Sequence, residues 1–523
     1  MGIASRIRST FRFQLPPGVF AGSMIGILGA IILFAGLQSQ AGALVPLAAM
    51  AVVPVLAAVI LKPRFGVLLL IFAMAFVEEF RGAIGDTGVG GDEVLRSERT
   101  AFYAKTFGLP SVYLPDIMIG GLLFLYLLRI LLRRIAINLR LDKIGIGLCL
   151  LALAVLFSIA IPLMGPDPFG PAVLDLSTIG SLTLPGKNVS DVARYLPVLQ
   201  YKLFLIVFPS YLLGLMFFQE ERDVDLTIRV IGLAMVATVV LGVARVVNDP
   251  GMIRKLVPVV FDTGSVALMA MTVFYLIARW ASNHYSMMRA TLYGILSGLL
   301  MILILLSFRR TLWGAIVLAL LFFPFLIPRH ALRRLFVIVA IGIAIGLLLI
   351  VATPPGQALL QSVVSRAGQT NLNQGSTLYR FAIMTWLVNN YANLPLFGYG
   401  LAPMWNEKVY IRFFVIDLEN VHSLYVWLLI RLGILGFCAA AAALALFIVR
   451  IREVYRSTSD EHYRIMLLVI FLSIVMYLFN GIFNPVYANV RHLVPLGLSL
   501  ALVTRLPVIL KRSQAAQKSV GTA

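Results

Sequence analysis

Long apolar runs recur along the whole chain and restrict it to very few kinds of fold. A helix that crosses a bilayer needs about 20 mostly apolar residues, and the sequence contains about fourteen such candidate spans. They lie near residues 18–37, 42–61, 65–80, 117–132, 144–163, 195–218, 226–247, 260–280, 290–307, 311–328, 335–352, 422–447, 465–480 and 493–510. Only 13% of the residues are charged, against about 25% in a soluble domain. We predict an all-α polytopic integral membrane protein with about 12–14 transmembrane helices, which excludes a soluble enzyme, a disordered chain and a disulfide-stapled secreted module.

The distribution of charge predicts how these helices are oriented. The formal net charge is +20. With a cytoplasmic N-terminus, the inner segments hold about 25 basic residues against about 8 acidic ones. Cytoplasmic loops collect Lys and Arg, so this asymmetry favours two cytoplasmic termini, and it explains the basic composition without a nucleic-acid partner. Arg6, Arg8 and Arg12 precede an apolar run that is too long for a signal peptide, so we interpret residues 18–37 as an uncleaved first span.

The predicted loops divide the chain into four regions. Residues 1–352 contain eleven predicted helices, and residues 353–421 form a large outer loop. Residues 422–512 contain three further helices, and residues 513–523 form a cytoplasmic tail. Two smaller outer loops lie near 81–116 and 164–194. Long loops in compact folds tend to be functional, so we expect site residues in the large loop and at the helix ends beside it.

Two adjacent arginines, Arg309 and Arg310, lie between two apolar runs on the predicted outer side. Charged groups at membrane depth are costly and are usually functional. A guanidinium group matches phosphate oxygens through paired hydrogen bonds, so the pair predicts an anion site. The alternative is that both side chains snorkel to lipid headgroups.

The large outer loop contains a predicted amphipathic helix over residues 376–391, which Ser376 or Thr377 caps and which lies along the outer membrane face. Arg380 lies on this helix. It faces water, the usual position of a helical arginine, or it points with Tyr379 toward the membrane surface, where a lipid diphosphate would bind.

A histidine, His422, begins a strongly apolar helix at the outer interface. The helix dipole disfavours the imidazolium form there, which leaves a neutral base that can remove a proton from a hydroxyl group. The alternative is an interfacial histidine with a structural hydrogen bond. The sequence contains no motif of a metal or nucleotide site, so we expect no cofactor and no metal.

Three short pieces between residues 300 and 440 resemble the bacterial O-antigen ligase and Wzy-type polysaccharide polymerase superfamily. The first is the Ser-Phe-Arg-Arg-Thr turn at 307–311, and the second is Arg380 followed by Trp386 and Pro-Leu-Phe-Gly-Tyr-Gly at 395–400. The third is Val-His-Ser-Leu-Tyr at 421–425, continued by Arg-Leu-Gly-Ile-Leu-Gly at 431–436. The chain departs from the family in Val421, where proline is frequent, and in two more predicted spans than the usual twelve.

The resemblance implies a GT-C-like membrane enzyme of the bacterial inner membrane, with the large periplasmic loop over an active site that faces the periplasm. It implies transfer of a glycan from undecaprenyl diphosphate to an acceptor hydroxyl, with inversion and without a metal. Arg309, Arg310 and Arg380 would bind the diphosphate, and His422 and Arg380 would be catalytic. The implied partners are the lipid-linked oligosaccharide donor, a glycan or lipid A-core acceptor, the bilayer and other polysaccharide-assembly proteins.

Several functional alternatives stay open. The resemblance does not separate a polymerase of repeat units from a ligase that caps lipid A-core. A glycolipid transporter or flippase without transferase activity is a different class, whose internal repeats and charge-lined central path we do not find in the sequence. A non-catalytic assembly protein would leave no reason for Arg309, Arg380 and His422 to converge.

Overall fold

The computed structural model describes residues 57–76, 114–132, 142–160, 206–248, 263–282, 287–326 apart from Phe308, 423–484 and 490–521, together with Val55, Arg333 and a few short pieces of the large loop. This part of the chain is helical apart from one small hairpin, which confirms the predicted all-α polytopic class. The helices are α1 Pro63–Phe76, α2 Leu114–Leu131, α3 Lys143–Ala160, α4 Val207–Phe217, α5 Glu221–Asn248, α6 Thr263–Ser282, α7 Met287–Leu305, α8 Arg310–Leu326, α9 Leu424–Ser457, α10 Glu461–Phe483 and α11 Val490–Gly521.

Four described helices, α5, α9, α10 and α11, are each long and apolar enough to cross a membrane. Shorter apolar segments of 10–17 residues lie within α1, α3, α4, α6, α7 and α8. A backbone in hydrocarbon must satisfy its own hydrogen bonds, which is why these apolar runs form helices. The predicted spans 18–37 and 335–352 lie outside the described residues, as does most of 42–61.

Helix α10 lies between two apolar clusters that hold the bundle together. One cluster includes residues of α1 to α5, α9 and α11, and the other includes residues of α1 and of α5 to α8. Leu467 of α10 contributes to the first cluster and Leu472 to the second, and both side chains are fully buried. Different faces of α10 therefore pack against two groups of neighbouring helices.

Polar contacts join the helix ends on one side of the bundle, which we call the Asp142 end. Asp142, directly before α3, accepts a hydrogen bond of 2.9 Å from the Thr504 hydroxyl of α11 and lies 3.3 Å from Nε of Arg450 in α9. Five basic residues at this end come from segments that the charge distribution predicts to be cytoplasmic. Each pairs with a carboxylate or donates to a backbone carbonyl: Arg64, Arg129, Lys143, Arg450 and Arg505.

The opposite side, which we call the Arg309 end, is where α7 and α10 end and where α8 and α9 begin. Between α8 and α9, the large loop contains an antiparallel hairpin of β1, Val409–Ile411, and β2, Phe414–Ile416. Tyr410 pairs with Val415 in its register. The sequence predicts short helices in this loop, and the predicted helix 376–391 lies outside the described residues apart from Thr385.

Candidate functional site

The turn between α7 and α8 is fixed by its own serine and by a tryptophan. Ser307 is fully buried, and its hydroxyl donates to the carbonyl of Ile304 at 2.6 Å. The indole Nε1 of Trp313 donates to the same carbonyl at 3.0 Å. These two hydrogen bonds hold the last turn of α7 against the first turn of α8. They therefore fix the turn that carries Arg309.

Arg309 lies at the start of α8 and is partly buried. Its amide donates to the Ser307 hydroxyl at 3.4 Å, and its carbonyl accepts from the amides of Leu312 and Trp313. The backbone of Arg309 thus begins the helix. Arg310 is the first residue of α8, and its side chain lies outside the described residues.

Two other predicted site residues, Arg380 and His422, lie outside the described residues. The residue after His422 is described: Ser423 is buried and immediately precedes α9. Two residues further on, the Tyr425 hydroxyl donates to the carbonyl of Leu478 in α10 at 2.9 Å. The first turn of α9 therefore packs against the last turns of α10.

The start of α8 packs on the same part of α10 through an amide. Asn484, directly after α10, donates from Nδ2 to the Thr311 hydroxyl at 2.8 Å and to Oδ1 of Asn480 at 2.6 Å. The end of α10 thus contacts both the first turn of α8 and the first turn of α9. Described residues from two of the three family pieces, Thr311 and Tyr425, therefore contact the same end of α10.

The second family piece contacts the third. Gly433 interrupts α9 with a non-helical backbone, φ 68° and ψ −170°. The amide of Leu435 donates to the carbonyl of Leu396 in the large loop at 3.1 Å, and the carbonyl of Arg431 accepts from the Ser158 hydroxyl at 2.8 Å. Gly398, with φ 74°, lies directly on this kink. The large loop is therefore attached to α9 at the kink around Gly433, after the first turns of the helix.

The structure also brings together residues that the sequence analysis missed. Arg491 and His492 at the start of α11 are 1% and 8% exposed, and both line a cavity of about 50 Å³ together with Asn480 and Tyr477 of α10. Arg491 donates to the hydroxyl of Ser265 in α6, and the His492 ring lies edge-on to Tyr477 with centroids 5.6 Å apart. The sequence signal that could have identified this pair is two adjacent basic residues directly before an apolar run, as at Arg309 and Arg310.

Within the described residues, no group of three or more His, Cys, Asp and Glu side chains is arranged to hold a metal ion. The Arg309 end instead offers arginine, imidazole, amide and hydroxyl groups, which bind oxyanions.

Residues 295–441 match a protein-family model described as O-antigen ligase. This match confirms the resemblance to the O-antigen ligase and Wzy-type superfamily over that part of the chain, and it includes the turn at Arg309, the large loop and the first half of α9. It supports a role as a membrane glycan ligase or polymerase. No curated protein matches the chain.

Proposed function

We propose, from the O-antigen ligase-type sequence at residues 295–441, that this protein is a membrane glycosyltransferase that moves a glycan from an undecaprenyl-diphosphate donor to an acceptor hydroxyl. The acceptor is the end of a growing polysaccharide or lipid A-core. The excess of basic residues at the Asp142 end favours the cytoplasm for that end and the periplasm for the Arg309 end.

One structural observation carries the proposal: the end of α10 contacts both α8 and α9. Asn484 bonds to Thr311, two residues after Arg309, and Leu478 bonds to Tyr425, three residues after His422. The turn that carries Arg309 and the segment that follows His422 therefore lie at the same end of the bundle, the Arg309 end. That arrangement supports a single site made by residues far apart in sequence.

The proposed chemistry needs fixed positive charge on one side of the anomeric carbon. As the bond from that carbon to the diphosphate breaks, its electron pair passes to the phosphate oxygen and negative charge develops there. Arg309, Arg310 and Arg380 stabilise this charge, and one preorganised donor of this kind contributes about 2.7–4 kcal/mol. No metal ion is needed for this role in the proposed mechanism.

The acceptor hydroxyl attacks the anomeric carbon from the opposite face, which inverts its configuration. His422 takes the hydroxyl proton as the new carbon–oxygen bond forms, because a neutral imidazole is a base near pH 7. The large loop covers the site and excludes water, which would otherwise hydrolyse the donor. The attachment of Leu396 and Gly398 to α9 supports this position for the loop.

A transfer assay tests the proposal. Purified full-length protein is mixed with undecaprenyl-diphosphate oligosaccharide and a candidate acceptor, in EDTA, and the glycosylated acceptor is measured by gel and mass spectrometry. We expect transfer in EDTA and inverted configuration at the new linkage. A strict requirement for a divalent metal would contradict the arginine mechanism. Movement of the lipid across vesicle membranes without any new glycosidic bond would favour the flippase alternative.

A deletion strain separates the two subtypes. Loss of a ligase leaves long lipid-linked chains that are not attached to lipid A-core, whereas loss of a polymerase leaves single repeat units. The surface-glycan gel profile of the deletion strain, complemented with the wild-type chain as its control, therefore identifies the acceptor class.

A further inference from the structure

A larger cavity adjoins the one at Arg491, and Met271 and Pro495 line both. It encloses about 400 Å³ among α1, α5, α6, α7, α10 and α11, which is within the range of ligand pockets, roughly 300–1,000 Å³. Its lining on α5 extends from Val224 to Val236, about 18 Å at 1.5 Å per residue. The hydrocarbon core of a bilayer is about 30 Å thick, so the cavity is about as deep as one leaflet.

The charged and phenolic residues that line this larger cavity lie toward the Asp142 end. Arg229 is exposed, and it alone is charged among the described residues of the lining. Arg229, Tyr275 and Tyr293 lie six to eight residues from the ends of α5, α6 and α7 on this side. Tyrosines are enriched where hydrocarbon meets lipid headgroups. The rest of the wall is mainly apolar, so the cavity has one polar end and an apolar interior.

Positive charge exceeds negative charge around Asp225, one turn before Arg229 on α5. The Asp225 carboxylate interacts electrostatically with Arg229, with Arg279 in the last turn of α6 and with His462 of α10. Nε2 of His462 lies 3.7 Å from Asp225, and its Nδ1 lies 3.4 Å from the Tyr275 hydroxyl. Two guanidinium groups and an imidazole thus act on one carboxylate at the polar end of the cavity. Two further carboxylates of this end lie outside the lining, namely Glu221 and Asp460.

We propose that this cavity binds an anionic phospholipid of the cytoplasmic leaflet, with its phosphate at Arg229, Tyr275 and Tyr293 and one acyl chain in the apolar interior. A guanidinium group pairs with two phosphate oxygens, and phenol hydroxyls donate to others. Basic pockets between helices on the cytoplasmic side are typical sites for anionic lipid headgroups. The acyl chain fills an apolar space whose lining would otherwise lose packing contacts.

The position of this site separates its lipid from a transfer substrate. The phosphate lies at the Asp142 end, which its positive charge assigns to the cytoplasm, whereas Thr311 and Asn484 meet at the opposite end of the bundle. Arg229, Tyr275 and Tyr293 also lie outside the family match at 295–441. Lipid binding here does not depend on the proposed function, because it is measured without an acceptor. Failure of the transfer assay would leave it unaffected.

Native mass spectrometry of the full-length protein in detergent tests the polar end. The probes are phosphatidylglycerol, phosphatidylcholine with the same acyl chains, undecaprenyl phosphate and glycerol phosphate. We expect phosphatidylglycerol to bind best. Arg229→Ala should weaken its binding about tenfold, the loss of one charge-assisted interaction. Arg222→Ala, at an exposed arginine of the same helix outside the lining, is the matched control and should leave binding unchanged.

A glycine variant tests the apolar interior without changing any charge. A Cβ on Gly232, which lines the larger cavity, meets nothing within 4 Å, and Gly298 on α7 has the same open surroundings outside the lining. Gly232→Leu should fill the cavity and weaken both phospholipids about tenfold, while Gly298→Leu should not. Phosphatidylglycerol should also raise the thermal unfolding midpoint of the wild-type protein more than that of Gly232→Leu, because a ligand of the folded state stabilises it.

Three results would overturn the proposal. They are phosphatidylglycerol binding unchanged in Gly232→Leu, equal losses in Arg229→Ala and Arg222→Ala, and any other probe binding as tightly as phosphatidylglycerol. Arg229→Ala is expected to fold, because Asp225 keeps Arg279 and His462. If Gly232→Leu fails to fold, Arg229→Ala and the comparison of probes decide the question.

Discussion

The amide of Leu435 donates its hydrogen bond to the carbonyl of Leu396, so a helix in the bundle and the large loop share a backbone contact of 3.1 Å. In an intact helix that amide would pair with the carbonyl of Arg431. The Arg431 carbonyl accepts from Ser158 of α3. The kink at Gly433 therefore connects α9 to the loop on one side and to a neighbouring helix on the other.

Gly398→Ala tests this connection. A Cβ at Gly398 would lie 2.4 Å from both the Arg431 carbonyl oxygen and the Gly433 amide, at φ 74°. We expect a loss of more than about 1 kcal/mol in unfolding free energy, because an L side chain is strained at positive φ and the backbone contact must open. Thermal unfolding in detergent measures it, with Gly298→Ala as the control. Equal midpoints for the two variants would contradict the attachment.

The bond between Asn484 and Thr311 is expected to couple α10 to the arginine turn. Asn484→Ala and Thr311→Val each remove one partner, and the double variant removes both. A double-mutant cycle on unfolding free energy should give a coupling of about 0.5–1.5 kcal/mol. Glycan transfer should fall in each single variant, because the turn that carries Arg309 loses a support. Strictly additive effects would show that the contact carries no coupling.

Substitution of the proposed site residues should strongly reduce transfer while the protein stays folded. For Arg309→Ala and Arg380→Ala we expect kcat to fall about 10²–10³-fold, as when a donor to a developing oxyanion is removed. His422→Ala should reduce kcat about 10²–10⁴-fold by removing the base. The controls are Arg452→Ala, an exposed position of α9, and His462→Ala at the Asp142 end. Full activity in both Arg380→Ala and His422→Ala would refute the site assignment.

Asp142 is expected to matter for stability and not for chemistry. Its carboxylate caps α3 through the Gly145 amide at 3.0 Å and accepts from Thr504. Asp142→Ala removes the cap and leaves its partners unsatisfied, which should lower the unfolding free energy by about 1–3 kcal/mol. Transfer per folded molecule should stay at the wild-type level. Glu461→Ala, at an exposed acidic residue that begins α10, should have a smaller effect on the unfolding midpoint.

Much of the fold could be predicted because bilayer physics leaves few choices. The apolar run at 465–480 became α10, Glu461–Phe483, and the run at 226–247 became α5, Glu221–Asn248. The helices extend beyond the apolar runs because polar residues cap them, as Asp460 does for α10 by accepting from the amide of His462 at 2.7 Å. A hydropathy profile does not detect such capping residues, because they are polar.

The hairpin at 409–416 could not be predicted in this way. Its strands are three residues each, and a pattern of period two is not recognisable over so short a segment. Nor could the contact of Leu396 with Leu435, since it depends on where a kink at Gly433 turns the backbone.

The sequence by itself determined that the chain is a helical membrane protein, which ends of its helices gather positive charge, and which family residues 295–441 resemble, because hydrocarbon thickness and charge asymmetry act on local segments. The tertiary structure alone decided that α10 contacts both α8 and α9, that the loop rests on the kink at Gly433, and that Arg491 lies beside an apolar cavity. These relationships join residues distant in the chain through packing and single hydrogen bonds, which no local pattern encodes.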